Sequence, residues 1–90
     1  MQAVCIEMEK HEGEIMKVMY IGPSFFAGLT NGKIYECLGI DHGNLRIFDD
    51  TYDDYLYSPI NPGPCDNPDI RGKWKIIEDD EKGSLKKIIR

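Results

Sequence analysis

An all-β fold is what this sequence predicts: a small, partly open barrel of about five to seven short antiparallel strands. Three observations carry it. Runs of about five or six residues alternate apolar and polar side chains, the period of a strand with one buried face. Glycine, asparagine, aspartate and proline punctuate those runs at short intervals. Nowhere does a long stretch repeat apolar residues at helical spacing. At 90 residues, curling the sheet is favoured because it reduces exposed edges.

The length predicts one domain, 1–90, in four parts: an N-terminal extension or hairpin strand (1–14), a barrel meander (15–58), a Pro-rich loop (59–72) and C-terminal strands (73–90). In "AVCIEM", Val4, Ile6 and Met8 share a face at spacing two. A helix over residues 1–12 competes with this strand, since Gln, Glu, Met and Lys favour helix. "IMKVMYIG" puts Met16, Val18 and Tyr20 on one face and Ile15, Lys17, Met19 and Ile21 on the other, completing an N-terminal hairpin with 3–8. In the loop "SFFAGLTNG", the adjacent Phe25 and Phe26 cannot share a face if the backbone is extended, so one packs beneath the barrel and the other is partly exposed. "KIYECLGI" follows the turn signal Asn31-Gly32 and is the strongest strand. Asp41 to Asn44 form a hairpin turn, with Gly43 available for positive φ. "LRIFDD", a turn at 51–53 and "DYLYSP" complete the meander. Residues 58–72 hold four of the five prolines and allow no central strand, because proline lacks the amide donor. "KWKIIEDD" returns to strand, with Trp74 and Ile76 on one face that can point inward or outward, inward being favoured, and "LKKIIR" closes as a short strand or a helical turn.

Composition excludes more than it assigns. Sixteen acids against eleven bases give a net charge of −5. That disfavours direct binding to nucleic acid, which needs clustered Lys and Arg. Apolar runs are far too short to span a membrane, and Cys5, Cys37 and Cys65 cannot all pair within one chain. Reduced thiols in a cytoplasm follow, with Cys37 buried.

Leu29, Thr30, Gly32, Lys33 and Tyr35, followed by Asp53-Asp54-Tyr55-Leu56-Tyr57 and Pro59, form a pattern over about residues 16–60. It resembles that of small proteins of Gram-positive bacteria and their phages with a Src-homology-3-like barrel. The resemblance implies a first strand, a loop, a three-strand meander and a closing strand, with no activity attached. Readers of proline-rich peptides pair an aromatic groove with an acidic loop between the first two strands. Here that loop, "GPSFFAGLTNG", has no acid, so this specificity is not expected.

Candidates for chemistry are few. Asp49, Asp50, Asp53 and Asp54 form the densest charge cluster but lack the spacing of a calcium loop; a solvated turn accounts for them. His11 and His42 stand alone, without the paired ligand spacing of zinc. Ser24, Ser58 and Ser84 sit in no nucleophile motif. Neither an enzyme, a cofactor nor a metal is expected. Tyr55 and Tyr57 share a face opposite Leu56. Facing outward they make an interaction patch; facing inward they are core with hydroxyls satisfied near the rim, which alternation slightly favours. The expected function is a non-enzymatic module binding a protein partner or a second copy. Its candidate surface is Phe25, Phe26, Tyr55 and Tyr57 with the four aspartates. The alternative is a phage-type inhibitor whose acidic surface blocks a nucleic-acid-binding host protein.

Overall fold

A computed structural model describes residues 16–89. Five antiparallel strands form one sheet in the order β4-β3-β2-β1-β5: β1 Met16–Ile21, β2 Ile34–Asp41, β3 Asn44–Phe48, β4 Asp54–Tyr57 and β5 Lys73–Glu78. A short helix, α1, follows at Ser84–Ile88. The fold is all-β, as the alternation predicts. On β1, Met16, Val18 and Tyr20 are buried while Lys17, Met19 and Ile21 are only partly covered. β1 is paired on both sides, by β2 and by β5. Residues 3–8, the other half of the predicted N-terminal hairpin, lie outside the described residues.

Two bulges bend the sheet. Leu38 is the extra residue on β2 opposite β3, and Ile77 is the extra residue on β5 opposite β1. Each swells outward and is exposed, and bulges of this kind increase local twist. In a flat five-stranded sheet the edge strands would lie about 19 Å apart. Instead Tyr57 of β4 meets Trp74 of β5 edge-to-face at 6.3 Å between ring centroids. The Trp74 Nε1–H also donates to the Ser58 carbonyl at 2.9 Å. The sheet thus curls into a small, partly open barrel around Val18, Tyr20, Leu29, Leu45, Ile47 and Trp74.

The C-terminal segment decides between the two readings open for it. Within 73–90, Lys73–Glu78 forms β5 and Ser84–Ile88 is helical, so among the described residues the helical turn forms and a second C-terminal strand does not. The Asp79 carboxylate accepts the N–H groups of Leu85 and Lys86, and Asp80 accepts those of Lys82 and Ser84. These bonds satisfy N–H groups that a helix start leaves unpaired. Leu85 is then fully buried, and Ile88 and Ile89 pack against the core. Leu85 and Ile88, three residues apart, share a helix face, whereas a strand would put them on opposite faces.

The long loop 58–72 contains no strand, as its prolines dictate. Arg71 ties it together: one guanidinium nitrogen donates to the carbonyls of Pro64, Asn67 and Ile70. The Gly72 N–H donates to Pro62 O at 2.9 Å, and Pro62 is fully buried.

Candidate functional site

The loop from Gly22 to Lys33 joins β1 to β2 and is fixed along its length. Its base is closed by Gly22 N–H to Asn31 Oδ1 (3.0 Å), Asn31 N–H to Ser24 Oγ (2.8 Å) and Gly32 N–H to Tyr20 O (2.7 Å). Its tip is closed by Phe25 N–H to Leu29 O at 3.0 Å. The Phe25 ring packs edge-on against Tyr20 at 6.0 Å and lies across Gly28. Phe26 is left 99% exposed, and Ala27 behind it has φ 57°, a left-handed conformation that costs a side-chain-bearing residue about 1–2 kcal/mol.

A second segment, the turn 49–53 between β3 and β4, holds this loop in place. Asp50 N–H donates to Gly28 O at 2.9 Å. The Asp50 carboxylate accepts Thr30 Oγ1–H (2.7 Å), Lys33 Nζ (2.7 Å) and the Tyr35 hydroxyl (3.0 Å). Burial alone would raise the Asp50 pKa, but the bonds from Lys33, Thr30 and Tyr35 outweigh it and hold the carboxyl below its usual range. The hydrogen bond from Lys33 to Asp50 in turn holds the ammonium pKa up. Thr30, Lys33 and Tyr35 are residues of the Leu-Thr-x-Gly-Lys-x-Tyr pattern. All three converge on one aspartate while Gly32, at φ 81°, makes the turn between them.

The predicted interaction residues divide sharply. Asp49 is 4% exposed rather than solvated. It accepts the Tyr57 hydroxyl at 2.7 Å and both the N–H and the hydroxyl of Thr51. Tyr57 is buried with it, its pKa raised first by burial and then by the bond to Asp49. Both are mostly covered, yet both line the wall of the hollow that runs from Phe26 to Pro64. Asp54 is paired with Arg46 at 2.9 Å, which also holds Asp41 at 2.7 Å. The Arg46 hydrogen bonds depress both carboxyl pKa values. Asp53 is exposed, with one oxygen accepting the Asp54 N–H. Tyr55 and Tyr57 do share the inner face, opposite Ile47 and Leu45. On this edge strand, however, only Tyr57 is covered; Tyr55 stays 51% exposed. Leu56, on the outer face, is 41% exposed.

Phe26 therefore forms a ridge between two hollows of about 530 Å³ each, which share Phe25, Phe26, Ala27 and Thr51. One continues over Ser24, Thr30 and Asp50. The other continues along Tyr55 and Leu56 to Gly63, Pro64, Cys65 and Asp66 of the long loop. Sequence reasoning named Phe26, Tyr55 and the aspartates but not Leu56, which the curled sheet brings alongside Pro64. Among the described residues, no group of three or more His, Cys, Asp and Glu is placed to hold a metal ion, and no helix is long and apolar enough to cross a membrane. The chain matches no family model, no curated protein and no solved structure.

Proposed function

We propose that this chain is a non-enzymatic binding module of the cytoplasm that docks a protein partner, or a second copy of itself, on the Phe26 ridge and the hollow running to Pro64. The observation that carries this reading is Phe26: a large apolar side chain wholly in water, on a loop that is hydrogen-bonded at base, tip and flank. An anchor already fixed in place loses little conformational entropy on binding, and aromatic anchors beside pockets dominate interface energies. The left-handed Ala27 supports it further, because local backbone strain concentrates at functional sites. Tyr55 and Leu56 extend the apolar contact and Asp66 supplies a polar rim. The reduced cysteines Cys37 and Cys65 suit a cytoplasm. The resemblance to Src-homology-3-like proteins of Gram-positive bacteria and phages agrees with such a module.

The acidic-inhibitor alternative draws little support from the run at 49–54. Asp49 is buried, Asp50 is paired with Lys33, and Asp54 shares Arg46 with Asp41, which leaves Asp53 as the exposed acid of the run. The test of the binding reading is solution mass and partner retention with and without Phe26. Phe26→Ser is expected to abolish association while leaving the fold intact.

A further inference from the structure

Asn31-Gly32 is the dipeptide type in which asparagine deamidates most readily, because glycine offers no side chain to hinder its nitrogen. In that reaction the Gly32 nitrogen bonds to Asn31 Cγ, the Cγ–Nδ2 bond breaks and ammonia leaves, giving a succinimide. Water then opens the ring to aspartate or, more often, to isoaspartate, in which the backbone runs through one extra methylene. Asn31 is exposed to water, so burial does not protect it. Hydrogen bonds do. The attacking nitrogen is committed to Tyr20 O at 2.7 Å, and Asn31 Oδ1 is held by Gly22 N–H at 3.0 Å. The Asn31 N–H is held by Ser24 Oγ at 2.8 Å, and Lys33 N–H to Thr30 O at 3.1 Å closes the turn around both residues. The remaining asparagines, Asn44, Asn61 and Asn67, precede leucine or proline, and proline has no N–H to react.

We propose that Asn31-Gly32 is a latent deamidation site whose rate is set by opening of the β1–β2 loop. Its product dismantles the base of the loop that carries Phe26. The extra methylene of isoaspartate displaces the Gly32 N–H from Tyr20 and the side chain from Gly22, so the modified loop no longer presents its tip rigidly. The chemistry is independent of the binding reading; only its consequence for docking rests on it. The test is peptide mapping by mass spectrometry after incubation at mildly alkaline pH, folded and in concentrated urea. Because reaction requires local opening, residue 31 in the folded protein is expected to deamidate about a hundredfold more slowly than in urea. A difference below about tenfold overturns the proposal. Ser24→Ala removes one tether and is expected to speed the folded-state reaction by roughly two- to tenfold while leaving the rate in urea unchanged. A folded-state rate that does not move also overturns it.

Discussion

Tyr57→Phe isolates the one hydrogen bond that turns a candidate surface tyrosine into a core residue. The substitution keeps the ring and its edge-to-face contact with Trp74 but removes the hydroxyl that donates to Asp49 at 2.7 Å. Asp49 is 4% exposed, so water cannot easily replace the lost donor, and its carboxylate is left with Thr51 alone. A hydrogen bond to a charged group contributes about 1.5–3 kcal/mol. A loss near 2 kcal/mol lowers Tm by roughly 8–16 °C in a domain of this size. The lone tryptophan, Trp74, packs against both Tyr57 and Tyr20 and reports urea unfolding by its fluorescence. Asp49→Asn and the double variant complete a cycle, and the double variant should cost less than the sum of the singles because the pair is one interaction. Tyr55→Phe is the control, expected to cost under about 0.5 kcal/mol as an exposed site. If Tyr57→Phe is no more destabilising than Tyr55→Phe, the buried Tyr57–Asp49 pair is refuted.

Two further outcomes follow from the same geometry. A methyl group at position 28 would run into the Phe25 ring, so Gly28→Ala is expected to cost about 1–3 kcal/mol as an overpacking change. A stability within about 0.5 kcal/mol of wild type in urea would contradict that packing. The pH limits are set by tyrosines above and aspartates below. Burial is the main cause raising Tyr20, Tyr35 and Tyr57, so their contribution is full below the unfolded tyrosine pKa of about 10 and is lost as pH rises toward the folded values. Asp41, Asp50, Asp54 and Asp80 are depressed, so their contribution is present above the unfolded value of about 3.9 and is lost as pH falls through the folded values. Thermal midpoints by circular dichroism should be level at neutral pH and decline at both ends. A midpoint unchanged to about pH 11 would contradict the buried tyrosines.

The strands and turns of the meander were legible because each announces itself locally. Period-two alternation names the inner face of β1, and Gly32 and Gly43 mark turns whose positive φ values are 81° and 80°. What was not legible depends on the third dimension. Alternation shows that Tyr55 and Tyr57 share a face. Which of them is covered depends on where the edge strand β4 meets β5, and the two bulges help set that. Asp49 reads as a turn residue and is one, yet it points inward because Tyr57 lies behind it. The Leu-Thr-x-Gly-Lys-x-Tyr pattern was visible, but its purpose was not, since its partner Asp50 lies 15 to 20 residues away along the chain. Strand or helical turn at 84–88 stayed undecided in the sequence because the helix's N–H partners, Asp79 and Asp80, read as the tail of a strand.

The central claim is that Phe26 is an anchor for a partner rather than part of the fold, and Phe26→Ser tests it most directly. Light-scattering mass and partner retention from a lysate of the source organism are compared between wild type and variant, with urea unfolding as the check on folding. The account predicts that wild type self-associates or retains a partner, and that the variant does neither while unfolding within about 0.5 kcal/mol of wild type. A wild type that is strictly monomeric and retains nothing, or a variant that associates as well as wild type, would contradict it.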